Sequence, residues 1–179
     1  MSAGRRDGDA PRPAATTPEA RYIPRRHLAQ FDAATLNFTL GDPRAAAFAG
    51  SLNALADAAP GFVWRLVEEG AADATGMRPA GDDVIINFSV WESAEALWDF
   101  AYRSAHLETM RRRREWFQRH AEAHLVLWWI PAGRTPTVDE ALERLAHLRA
   151  HGPSPRAFMF SSAYTAEEAA GAEPAALQG

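Results

Sequence analysis

The 179-residue chain contains no cysteine. That excludes a thiolate nucleophile, a disulfide framework and a thiolate-held metal. Lysine is missing too, so all 19 residues counted as Lys or Arg are arginine. Schiff-base chemistry is closed to such a chain. No apolar run approaches the ~20 residues of a membrane-spanning helix. The opening "MSAGRRDGDAPRPAATTPEA" has charge but no apolar stretch, so it does not read as a secretory signal. The formal net charge of −4 gives no general attraction to nucleic acid. A Gly-rich phosphate loop, a G-x-S-x-G elbow and an H-E-x-x-H helix are all absent, which argues against nucleotide binding, α/β-hydrolase chemistry and zincin chemistry. The expectation is a cytoplasmic protein with no nucleic-acid or membrane partner.

With 47% hydrophobic residues, a sizeable core is within reach. Residues 1–25 are rich in Ala, Pro, Gly and Arg and read as a disordered tail, as do residues 165–179. One domain is expected over 26–164. "HLAQFDAATLNF" alternates Leu28, Gln30 and Asp32 with Ala29, Phe31 and Ala33, the period of a strand. Asp42 and Pro43 start a helix carrying Phe48, Leu52 and Leu55, and Pro60 and Gly61 stop it. "FVWRLVEE" and "VIINFSVWE" are two strands joined by a long loop. Ser93 caps the helix "SAEALWDFAYRS", and a second helical stretch, "AHLETMRRRREWFQRHAEA", follows it. "HLVLWWIPAG" is a strand. The order strand, helix, strand, strand, helix, strand is that of a ferredoxin-like α+β sheet. A helix from Thr137, with Glu140 completing a capping box, and a short strand "AFMFSSAY" are appended.

The strands hold more large apolar surface than one small sheet needs. Consecutive Trp128 and Trp129 must point to opposite faces. Helices can cover one face, and the sequence alone suggests a second copy of the chain over the other.

The phrases "PGFVWRL", "SVWES.EAL..F.YRS.H", "RRR.EWF" and "LVLWW.P.G....EA..RL..L...GP.P.AF.F" together resemble the domain-of-unknown-function 3291 family. The likeness spans about residues 27–163. That family lies within the dimeric α/β-barrel superfamily, and the resemblance implies a ferredoxin-like sheet in a homodimer. The superfamily includes cofactor-free monooxygenases of aromatic polyketides, haem-degrading and spheroidene-type haem monooxygenases, dehydratases, and stress-response proteins. Fold alone does not choose among these.

Several residues can carry chemistry. Ile85, Asn87, Ser89 and Trp91 share one face of their strand. Asn87 donates and accepts, and Trp91 donates one N–H. An Asn–Trp pair of this kind resembles the one that orients substrate in cofactor-free members, where it holds a phenolate or oxyanion. The plainer alternative is a pair satisfying nearby backbone. Arg65 and Gln30 either line the same cleft or face the rim.

Residues 111–114 are four successive arginines. At about 100° per residue, Arg111 and Arg112 fall with Glu108 and Glu115 on a solvated face. His106 falls near ~260°, Arg113 near ~240°, Arg114 near ~340° and Arg103 near ~320°, around an apolar face centred near ~290°. His106 is the candidate general acid/base, since an imidazole titrates near ~6.5. Arg113, Arg114 and Arg103 are candidate anchors for a ligand anion, with Asp32 or Asp99 as alternative protein partners. Trp64 and Trp128 are candidate apolar ligand walls. The tryptophan–histidine spacing of haem-degrading members is not matched by Trp98 and His106. That counts against a haem oxygenase, and a haem-binding monooxygenase resembling the spheroidene type, with His106 as axial ligand, stands as a second alternative. His120–His124 and His147–His151 have metal-compatible spacing without an obvious third ligand, so no metal is assigned.

The function expected is small-molecule binding, as a monooxygenase-like enzyme on a bulky apolar or aromatic substrate. The rival is a non-catalytic ligand-binding or stress-response dimer.

Overall fold

The computed structural model describes residues 25–37, 50, 52–103 and 117–172. Four strands form the centre: β1 (Arg26–Thr35), β2 (Phe62–Arg65), β3 (Val84–Trp91) and β4 (Leu125–Pro131). They make one antiparallel sheet in the order β2-β3-β1-β4. This is the ferredoxin-like arrangement expected from the element order. Among the described residues four helices accompany it: α1 (described over 52–57), α2 (Ala94–Arg103), α3 (Val138–His151) and α4 (Ala166–Ala172).

Strand alternation divides the core between the two faces of the sheet. Phe31, Phe88, Val90, Val126, Trp128 and Ile130 meet on one face, each at most 2% exposed. Leu28, Trp91 and Leu127 occupy the other, with Leu97 of α2, Ala56 of α1 and Phe158. Edge-to-face ring pairs tie the first cluster together, Phe31–Phe88 at 5.5 Å and Trp64–Phe88 at 5.4 Å.

Local chemistry explains the helix ends. Ser93 Oγ accepts from the Ala96 N–H at 3.1 Å and caps α2. Thr137 Oγ1 accepts from the Glu140 N–H at 3.2 Å and caps α3. Only half of the expected capping box forms, because the Glu140 carboxylate turns to other donors. It accepts from Trp128 Nε1 at 3.2 Å, Arg134 at 2.6 Å and Arg144 at 3.3 Å. Gly152, at φ +76°, ends α3 with its N–H on the Leu148 carbonyl. Gly61 is required for a different reason. It sits at φ +78°, and a Cβ there would stand 2.6 Å from Ala96 Cβ. Its bareness lets the turn before β2 press against α2.

Four expectations need correction. The second face of the sheet does not need another copy of the chain, because α3 lies on it. Ala141, Leu145 and Leu148 of α3 are 0–3% exposed within that cluster. The ground for a dimer through this face is thereby removed. The last strand shrinks to one bridge, Leu127–Phe158, followed by a 3-10 turn at Phe160–Ser162. That bridge still shields part of the outer edge of β4. Residues 166–172, read as tail, form α4, capped by the Thr165 and Glu168 exchange and with Ala169 buried. The helix read over 105–123 does not extend through its end. Phe117 bridges Leu36, and the Gln118 N–H donates to the Thr35 carbonyl at 2.9 Å. Pairing with the end of β1 satisfies backbone groups there that a helix would have satisfied internally.

No helix among the described residues is long and apolar enough to cross a membrane.

Candidate functional site

The face of the sheet towards α1 and α2 carries two polar rows. Register places Arg65 opposite Ser89, and Ser89 opposite Gln30. One step along, Asn87 faces Asp32, which faces Leu125. Directly opposed residues share a face, so both rows look into the space beneath the helices. A cavity of ≈ 180 Å³ lies there, lined by Gln30, Asp32, Asn87 and Arg65 from the strands. Leu52 and Asn53 of α1, Phe100 and Tyr102 of α2, Asp73 and Thr75 of the loop after β2, Phe117 and Phe160 also line it.

The first row is internally satisfied. Trp91 Nε1 donates to Ser89 Oγ at 2.9 Å, and Ser89 donates on to Gln30 Oε1 at 2.8 Å. This relay leaves the amide N–H groups of Gln30 as its remaining donors. Arg65 holds Asp57 of α1 with two bonds, Nε to Oδ1 at 2.9 Å and an Nη to Oδ2 at 3.2 Å. A third goes to the Ala72 carbonyl at 3.1 Å. Its fork is mostly occupied in holding α1 and the following loop against the sheet.

In the second row Asn87 is the accessible member. Asn87 lies mid-strand between buried Ile86 and Phe88, yet it is exposed, and its side chain makes no hydrogen bond among the described residues. Asp32 stands opposite it with Oδ1 buried. The Asn87 amide offers both a donor and an acceptor to a ligand's polar group, in a wall that mixes apolar residues such as Leu52, Phe100 and Phe117 with polar ones such as Gln30, Asn53 and Thr75.

The candidates read from the sequence separate on this geometry. Asn87, Gln30 and Arg65 come together at the cavity. Trp91 is fully buried, and its N–H is engaged by Ser89. Its ring stacks on Phe100 at 4.9 Å, so it is a wall behind the polar row and its N–H does not reach a ligand oxygen. Trp64 and Trp128 belong to the cluster on the opposite face, away from the cavity. Arg103 points to solvent and pairs with Asp99 at 3.1 Å. That pair also engages one of the two carboxylates considered for the arginine run. His106, Arg113 and Arg114 lie outside the described residues.

Sequence reasoning did not foresee Asn53, Phe100 or Phe160. Phe160 reaches the site from beyond α3, a proximity that no local pattern signals.

The haem alternative rests on His106, which lies outside the described residues. No histidine among them lines the cavity. The paired histidines also do not assemble a metal centre among the described residues. His120 and His124 stack at 4.9 Å, and His147 and His151 lie 4.7 Å apart. Desolvation first, then the charges of His151, Arg156 and Arg144, holds His147 below the ordinary imidazole value of 6.5.

Among solved structures, this chain is similar to SnoaB, a cofactor-independent oxygenase from Streptomyces nogalater. The identity is 14% and the TM-score 0.43, over 61% of this chain and 95% of that one. It is similar to NE2512, a protein of unknown function from Nitrosomonas europaea, at 15% identity and TM-score 0.42, over 63% and 97%. PA3566 from Pseudomonas aeruginosa is similar at 15% identity and TM-score 0.38, over 62% and 95%. Likenesses of this size transfer no activity. No curated protein matches the chain. A family model described as a domain of unknown function, DUF3291, matches residues 27–174. With most of the sheet, both flanking layers and the cavity inside that match, the chain belongs to the DUF3291 family.

Proposed function

We propose that the chain binds a small, largely apolar or aromatic molecule whose single polar group meets Asn87. The observation that carries this reading is Asn87 itself. An amide in the middle of a strand, exposed to a cavity and making no hydrogen bond among the described residues, keeps its donor and acceptor available to a bound molecule. Asp32 across the strand pair and the N–H groups of Gln30 add further polar contacts nearby. Apolar surface from Leu52, Phe100 and Phe117 supplies the hydrophobic remainder.

A monooxygenase-like reaction on that molecule is the catalytic form of the reading. It needs an acid/base group, and His106 is the candidate. Self-association into a homodimer, in the cytoplasm, is proposed only through surfaces other than the face covered by α3.

The test is a thermal-shift titration of the full chain with 1-naphthol. A ligand that binds only the folded state at ten times its dissociation constant adds about 1.4 kcal/mol of stability. A rise in Tm that disappears in Asn87→Leu supports the site, and an equal rise in both proteins refutes it. His106→Ala then separates enzyme from binder. If the chain is an enzyme, the variant keeps its fold and loses turnover of a bound compound. If it keeps both, His106 has no catalytic part.

A further inference from the structure

Two large aromatic side chains of α2 stay open to solvent. Trp98 is 42% exposed and Tyr102 39%. Burial of such rings is strongly favourable, so leaving two of them exposed calls for a reason. They stand four residues apart, with ring centroids 4.3 Å from each other. Phe160 joins them from far along the chain, 5.4 Å from Trp98 and 5.9 Å from Tyr102, nearly perpendicular to both. Mutual packing accounts for the contacts but not for their place. Tyr102 and Phe160 also line the cavity. The exposed aromatic surface is therefore continuous with the interior of the site.

Cavity size gives that continuity a meaning. The volume is ≈ 180 Å³, and an apolar cavity of about 150 Å³ is enough for one benzene ring. One ring fits inside with its polar group at Asn87. A second fused ring does not fit beside it, and the lining residues that join exposed aromatic surface outside the cavity are Tyr102 and Phe160. There the second ring meets flat aromatic faces, which favour offset stacking or edge contact with another planar ring.

We infer that Trp98, Tyr102 and Phe160 form an outer subsite that stacks the protruding ring of a planar, fused-ring ligand. This rests on the cavity reading above, since it is the outer half of the same site. The subsite selects for planarity as well as apolar area. A saturated bicyclic of the same size gains little from the rim.

The experiment is calorimetric titration of the full chain and of Trp98→Leu with phenol, 1-naphthol and decahydro-1-naphthol. Leucine keeps apolar bulk at an exposed position and removes the π face. The expected result is 1-naphthol binding the wild type on the order of 3- to 10-fold tighter than decahydro-1-naphthol. Trp98→Leu abolishes that preference and leaves phenol affinity unchanged. Tyr102→Leu repeats the loss if the rim works as a unit. If 1-naphthol binds and neither variant changes its affinity, the outer subsite is wrong and the cavity reading stands. An equal loss for phenol and 1-naphthol also overturns it, because Trp98 then shapes the inner cavity. If none of the three compounds binds the wild type, the cavity reading itself falls and the subsite with it.

Discussion

Replacing Asn87 by leucine should make the free protein more stable while it removes ligand binding. The direction follows from the environment of the residue. Its side chain has no hydrogen bond among the described residues to lose, and Leu52, Phe100 and Leu125 line the same cavity. Leucine at this point covers apolar wall that asparagine leaves wet. If roughly 40 Å² of extra apolar surface leaves water, the gain is about 1 kcal/mol. For a chain of this length that is a rise in Tm of about 2–4 °C. The assay is urea unfolding followed by circular dichroism, read as a shift in midpoint at constant slope. A gain in stability with loss of 1-naphthol binding is the signature of a functional group kept at the expense of stability. A loss of 1 kcal/mol or more would mean that the amide is held by the protein, and the reasoning fails. Asn87→Asp sharpens the test. It sets a carboxylate directly opposite Asp32, and like charges across a strand pair destabilise. Its stability should therefore recover at acidic pH relative to the wild type.

Gly61→Ala should lower stability by about 2 kcal/mol, because the residue combines positive φ with a tight approach to Ala96; a Tm within 1 °C of wild type, taking about 2–4 °C per kcal/mol, would show that the turn relaxes freely. His147 predicts a pH effect. Its folded value lies below 6.5, so the unfolded chain binds its proton more readily and this contribution to stability falls as pH drops through 6.5 towards the folded value. His147→Gln should be less sensitive than wild type over that window in thermal melts, and identical pH profiles would discount the shift. Glu140→Gln should weaken the link between α3 and the sheet, since one carboxylate serves Trp128, Arg134 and Arg144. A loss of about 1–2 kcal/mol in urea unfolding is expected, and no change would reduce these bonds to surface decoration.

What the amino-acid sequence determined was the periodic part. Alternation in "VIINFSVWE" settles that Asn87, Ser89 and Trp91 share a face, because strand period is set by backbone geometry and not by neighbours. Ser93, Thr137 and Gly152 mark helix ends for reasons confined to a few residues. The order of strands and helices was enough for a ferredoxin-like sheet. Only the tertiary structure decided what each side chain meets. Trp91 spends its N–H on Ser89, and Ser89 passes the bond to Gln30, 59 residues away. Arg65 is captured by Asp57 across a turn that gives no hint of the pairing. Trp64 and Trp128 pack on the face opposite the cavity, although their chemistry suits a ligand wall equally well. The appended helix closes a face that its own pattern of apolar residues cannot locate. A period says which side of its own element a residue occupies. It carries no information about which other element, far along the chain, folds back to cover that side, and the site is made of such returns.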